Sequence, residues 1–240
     1  MRTYSELLEG LQKLKKQGFV ESRRIGDTGI GKTLEDILGI DENNFKGPDG
    51  IDTELKAARK DSSSMLTLFT KSPLPRGVNS LLREEFGYPD EKFPTRKVLR
   101  TTIDATGYNN IKGKKGFILA DRGDRLEIQS FSPPKNKDMP TPYWLKETYV
   151  KSLETKYKKS LLYVKADCQS GSPEKFHYNE AWLLHGFDAN KFFEQLKNGI
   201  LKVDIRLGLY DDGRYHDHGT GIRIRPDMID LCFSSREKVV

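Results

Sequence analysis

The segment Gly26-Asp27-Thr28-Gly29-Ile30-Gly31-Lys32-Thr33 fits the pattern G-x-x-x-x-G-K-[ST], and the residues before it decide between two classes of fold. A phosphate-cradling loop needs a buried parallel strand running into the glycines, so that backbone N–H groups converge on the phosphates. Phe19 to Ile25 (FVESRRI) instead carries Glu21, Arg23 and Arg24, which a strand buried on both faces does not accommodate. The nearest strand suited to a nucleotide-bound cation, Leu161 to Asp167, lies far downstream with no clear strand-helix alternation between. The glycines are therefore expected to shape a turn into a helix, and no nucleotide cofactor is expected.

The rest of the chain mixes short strands and helices. An amphipathic helix opens it, with apolar Leu7, Leu8, Leu11 and Leu14. Leu34, Ile37 and Leu38 form a second helical stripe that stops at Gly39, and the loop DENNFKGPDG follows. Alternating segments predict strands at 51–57, 65–70, 99–104, 116–120, 125–131, 159–166, 201–210 and 220–225. Helices are expected at 78–86, 144–156, 178–184 and 189–198, with no internal repeat. The expectation is an α/β (α+β) fold with a central mixed sheet flanked by helices.

With 240 residues and no low-complexity linker, the chain reads as a single domain over 1–240. Its 41 Lys+Arg exceed 35 Asp+Glu, giving +6 and a pI of about 9.1, which suits a polyanionic partner or serves as ordinary solubility charge. Cys168 and Cys232 stand far apart outside any CxxC or Cys/His spacing, so neither a disulfide framework nor a structural zinc site is indicated. A reducing cytoplasm is the simplest setting. No segment has the length and apolarity of a signal peptide or of a membrane span.

The string PDGIDTELK carries the chemistry. On a strand, Glu54 and Lys56 are two apart and share a face, while Asp49 at the strand entrance converges on them. Two carboxylates hold a hard cation such as Mg2+ through oxygen, and a lysine beside them positions or deprotonates the attacking water. Asp52 is the competing acid, since it also shares the Glu54 face; Asp49 is preferred for its offset after Pro48. The plainer reading of Glu-x-Lys is a solvated strand face.

Together with its neighbours, the string resembles a known family. TGIGKTLEDILGI, PDGIDTELK, LTLFTKSP, KVDIRLGLY and HDHGTGIRI look like the MvaI/BcnI family of type II restriction endonucleases, PD-(D/E)xK enzymes with a fold similar to the repair nickase MutH. The likeness is strongest over 26–82 and 199–225 and vague over about 88–160.

The resemblance implies that Asp49 and Glu54 are metal ligands for Mg2+ and that Lys56 is the catalytic lysine. Glu35 takes a supporting place, either toward a second ion or water or toward Lys56. It implies double-stranded DNA as the partner, read by Asp204, Arg206, His216, His218, Arg223 and Arg225. Thr70, Lys71 and Arg76 would contact the minor-groove side and phosphates. A catalytic part over about 1–130 and a recognition part over about 131–240 are expected, in one piece or as two lobes around a DNA cleft. It further implies monomers that nick one strand and then the other, at a near-palindrome of the form CC-N-GG with A or T at the centre. Three other readings stand beside it. They are a MutH-like repair nickase, a DNA-binding protein without catalysis, and a zinc site built from His216, His218 and Cys232.

Overall fold

A computed structural model describes residues 2–40 and 47–240; Met1 and residues 41–46 of the DENNFKGPDG loop lie outside the described residues. In chain order the elements are α1 (Tyr4–Gln17), β1 (Val20–Glu21), α2 (Gly29–Leu38), β2 (Thr53–Arg59), β3 (Leu66–Thr70), α3 (Val78–Phe86), β4 (Tyr88–Pro89) and β5 (Lys97–Ile103). There follow β6 (Asn110–Ile111), β7 (Lys114–Lys115), β8 (Phe117–Asp121), β9 (Arg125–Ser130), β10 (Tyr143–Leu145), α4 (Lys146–Lys156) and β11 (Ser160–Gln169). The chain closes with β12 (Lys175–Phe187), α5 (Ala189–Lys197), β13 (Lys202–Leu209), β14 (Tyr215–Ile224), a 3-10 helix (Pro226–Cys232) and β15 (Phe233–Lys238). The fold is mixed α/β, as the sequence pattern predicts. No helix among the described residues is long and apolar enough to cross a membrane.

The chain packs into two compact units, each assembled from separated stretches. The first holds residues 1–64, 151–191 and 226–240, and the second holds 65–150 and 192–225. The position near residue 130 falls at the end of β9, inside the second unit.

In the first unit the strands run β1-β12-β11-β2, with β15 also paired to β12. β2 lies parallel to β11, whereas β12 runs antiparallel to both β11 and β15. α1 starts at a capping box, in which the Glu6 amide donates to Thr3 Oγ1 at 3.3 Å and the Thr3 amide donates to Glu6 Oε2 at 2.7 Å. Leu7, Leu11 and Leu14 of α1 and Leu34 of α2 are buried against Leu55, Leu162, Val164 and Phe176 of the sheet, and this burial is what fixes the outer edge strand β2 in place.

The turn before α2 follows no buried parallel strand of the kind a phosphate cradle needs. Its preceding strand, β1, has two residues and pairs antiparallel at the sheet edge. At Gly29 an added Cβ would stand 2.4 Å from the Arg24 carbonyl oxygen, so a close turn calls for the glycine. Lys32 forms an ion pair with Asp36 one helical turn on, at 2.9 Å.

One element differs in kind from its expectation. Tyr178 to Leu184, expected as a helix, lies in the middle of β12, paired to β11 except at Asn179 and to β15 from Trp182 on. The cause is a bulge opposite Lys165/Ala166 that leaves Asn179 as the extra residue. It moves the buried phase from Phe176 and Tyr178 to Ala181 and Leu183, a 2-3-2 spacing that imitates a helical stripe.

The second unit contains an antiparallel sheet ordered β3-β14-β13-β5-β4, a three-stranded sheet β10-β9-β8, and the β6-β7 hairpin. Phe69, Tyr149 and Phe192 pack edge-on and tilted at its centre, with 5.0 Å between the Phe69 and Tyr149 rings. The loop after β3 is anchored to β10. Trp144 Nε1 donates to the Lys71 carbonyl at 2.9 Å, and Leu74 and Tyr143 exchange backbone hydrogen bonds of 2.7 and 2.9 Å.

Candidate active site

Strand alternation sends Leu55 into the α1/α2 core and leaves Glu54 and Lys56 together on the opposite face of β2. The Glu54 side chain is fully buried, and its Oε1 accepts from Lys56 Nζ at 2.5 Å and from Lys156 Nζ at 3.0 Å. Its Oε2 is buried without a hydrogen-bond partner. Asp49 is fixed by the Leu55 amide, which donates to its Oδ2 at 3.0 Å. Gly50 lets this turn close, because a Cβ there would stand 2.9 Å from the Arg2 carbonyl oxygen and 3.1 Å from that of Thr53. Asp52, the competing acid, is held in an ion pair with Lys159.

Burial raises the pKa of Asp49, and the neighbouring Glu54 charge raises it further, against the pull of Lys56, the Leu55 amide and Lys156. Burial acts against the Lys56 ammonium, but Glu54 and Asp49 outweigh it, with Glu35 adding, and hold Lys56 protonated beyond the usual lysine range. Glu35, half-buried on α2, thus acts on the same lysine. Tyr157 stays neutral, since burial first and the Glu54 charge second push its phenol well above the usual range.

Among the described residues no group of three or more His, Cys, Asp or Glu is arranged to hold a metal ion. The pair Asp49 and Glu54 nonetheless suits a hard divalent cation. Both are oxygen donors, burial and then the Glu54 charge raise the proton affinity of Asp49, and Glu54 Oε2 has a lone pair that no protein group uses. Mg2+ commonly takes one or two carboxylates and fills its remaining positions with water and substrate phosphate oxygens.

In the second unit, β13 alternates Val203, Ile205 and Leu207 inward with Lys202, Asp204 and Arg206 on the other face. Asp204 is buried and fully engaged, accepting from Thr102 Oγ1 at 3.1 Å and from Arg223 Nη1 at 2.8 Å. Arg223 Nη2 also donates to the Met65 carbonyl at 2.6 Å. Arg206 Nη2 donates to the His218 carbonyl at 3.1 Å, and its Nε lies 3.9 Å from Asp204. The Tyr210 and His216 rings stack with centroids 4.0 Å apart, and the His218 ring lies tilted against His216 at 3.7 Å. Burial, then His216, Arg206 and Arg100, lower the His218 pKa and favour the neutral ring. Thr70 and Arg76 are exposed, and Lys71 is half-buried with its amide donating to the Thr220 carbonyl at 2.9 Å; Arg225 is exposed at the end of β14.

The model of the MvaI/BcnI restriction endonuclease family matches residues 8–233, nearly the whole chain. The chain belongs to this family. Among solved structures it is similar to the restriction endonuclease MvaI–cognate DNA substrate complex, at 30% identity and a TM-score of 0.86 with 100% of both chains covered. It is also similar to MvaI in the absence of DNA, at 31% identity and a TM-score of 0.58 with 100% of this chain and 99% of that chain covered. No curated protein matches its sequence. As a member of the MvaI/BcnI family it is a type II restriction endonuclease, a site-specific deoxyribonuclease, and the family generally uses divalent metal ions.

Two residues, one beside Glu54 and one beside Arg206, lie outside the sequence reading. Lys156 reaches Glu54 from the end of α4, about 100 positions along the chain and with no local pattern to announce it. Arg100 on β5 stands directly opposite Arg206 across the sheet, and only strand pairing brings the two together.

Proposed function

We propose that the chain hydrolyses phosphodiester bonds in double-stranded DNA with Mg2+, through Asp49, Glu54 and Lys56. The observation that carries this reading is the buried Glu54 carboxylate, with one oxygen tied to two lysines, the other unpartnered, and its charge acting on Asp49. Asp49 and Glu54 would hold the ion. Bound there, Mg2+ would polarise water and offset the charge that develops on the scissile phosphate. Glu54 and Asp49 hold Lys56 as an ammonium, a hydrogen-bond donor for the attacking water or a phosphate oxygen. Lys156 fixes the Glu54 carboxylate, and Glu35 supports Lys56 electrostatically.

The polar face around β13 and β14 reads the bases, through Arg206, Arg223, Arg225, His216 and His218, with Asp204 holding the arginines in position. Thr70, Lys71 and Arg76 contact the backbone. The site is a near-palindrome of the form CC-N-GG, with A or T at its centre. One Asp49/Glu54/Lys56 set per chain fits a cytoplasmic monomer that nicks the two strands in turn, without a nucleotide cofactor. Supercoiled plasmid in Mg2+ tests this. An open-circular intermediate should precede the linear form at every enzyme concentration, and direct conversion to linear would reject sequential nicking.

Arg206→Ala or Arg223→Ala should weaken cognate binding by ~1–3 kcal/mol and leave scrambled duplex nearly unaffected. Lys71→Ala or Arg76→Ala should weaken both and flatten the salt dependence. Gel shifts at two salt concentrations separate the groups, and like behaviour of both would refute the division.

The Asp49 carboxyl yields a further expectation. Its raised folded pKa means that the metal-free native state binds a proton more readily than the unfolded chain, so stability falls as pH rises through the window from the usual aspartate value to the raised one. Asp49→Asn should therefore remove that slope and raise the metal-free Tm above that window while abolishing cleavage. Thermal melts across mildly acidic to neutral buffers test it, and a lowered Tm at neutral pH would contradict it.

A further inference from the structure

The sheet face that carries Arg206 holds a second arginine with no use inside the protein. Arg100 is exposed on the inner strand β5, directly paired with Arg206 of β13. Among the described residues its guanidinium makes no hydrogen bond or ion pair, whereas Arg206 and Arg223 share Asp204. Like charges placed opposite one another on a sheet are destabilising, and Asp204, the carboxylate beside them, is already taken by Arg223 and Arg206. A glycine leaves space beside Arg100. A Cβ at Gly208 would stand 3.0 Å from Arg100 Nη2, 3.4 Å from Nε and 3.6 Å from Cζ, so the guanidinium packs closely against that glycine. At Gly221 a Cβ would meet Arg206 Nη2 at 3.4 Å and Cζ at 3.7 Å, ordinary contact distances. Two arginines are thus seated side by side over backbone, Arg206 tied to the His218 carbonyl and Arg100 free.

From this we infer that Arg100 is a specificity residue that pairs with the O6 and N7 acceptors of a guanine next to the base pair read by Arg206. The inference rests on the reading of this face as the base-reading surface. Arg100 projects from a strand of that sheet, next to the central strand β13 and in register with Arg206, on a face that β4 flanks only at Lys97 and Val98. A planar fork with two donors matches guanine and is not replaced by an ammonium.

The test uses the whole protein in Ca2+ on a duplex bearing its site, located first by sequencing digestion ends. Arg100→Ala should lose about tenfold or more in cognate affinity, with scrambled-duplex affinity and salt slope unchanged. Arg100→Lys should not restore it. Substituting 7-deazaguanine at the contacted position should weaken wild type and have no further effect on Arg100→Ala. Gly208→Ala, which displaces the guanidinium without removing it, should mimic part of the loss. An equal loss on cognate and scrambled duplexes with a flatter salt slope would overturn the inference in favour of a phosphate contact, and unchanged affinity would overturn it outright. Arg206→Ala separates the two levels. Cognate-specific loss there with Arg100→Ala intact rejects only the role of Arg100, whereas indifference of both rejects the face as a reading surface.

Discussion

Lys56→Ala is expected to leave supercoiled plasmid uncut in Mg2+ while still shifting a cognate duplex in Ca2+. Lys56 is protonated and held at 2.5 Å from Glu54, so its removal takes a positive donor from beside the reacting phosphate. Loss of one such preorganised donor commonly costs about 10²- to 10³-fold in rate. The carboxylates stay in place, and Lys156 still binds Glu54, so ion-dependent binding survives. Cleavage within tenfold of wild type, or loss of the Ca2+ gel shift together with cleavage, would contradict this division between catalysis and binding.

Glu54→Ala is expected to act more broadly. It removes a metal ligand and also the common partner of Lys56 and Lys156, leaving two ammonium groups facing Asp49 alone. Cleavage should fall to background, and Ca2+ should no longer strengthen cognate binding. Asp49 should lose the repulsion of Glu54 and titrate closer to an ordinary aspartate. Glu54→Gln keeps the volume and an acceptor for Lys156, and it too should be inactive, which separates loss of charge from collapse of the site. Thermal melts of both variants check folding.

Much of this site was legible because its central pair is local. Glu54 and Lys56 are two apart on one strand, and alternation alone puts them on one face. Asp49 converges through a turn that Gly50 closes, so its offset was also readable. Lys156 and Arg100 were not, since each arrives from an element whose pairing partner lies about 100 residues away in sequence. The same limit applies to the compact units, which join separated stretches of chain. The Tyr178–Leu184 segment imitates a helix in sequence because a single extra residue, Asn179, resets the strand phase. The last strand, β15, passed unnoticed because it is exposed along nearly its whole length and shows no alternation.

The most direct measurement is digestion of a sequenced phage DNA by wild type and Glu54→Ala, in Mg2+ and in EDTA, with the fragment ends read by sequencing. Wild type should yield discrete ends at one short sequence in Mg2+ and none in EDTA, and Glu54→Ala should leave the DNA intact. Wild-type fragments produced by Glu54→Ala, or cleavage that persists in EDTA, would contradict a metal-dependent site built on Asp49, Glu54 and Lys56.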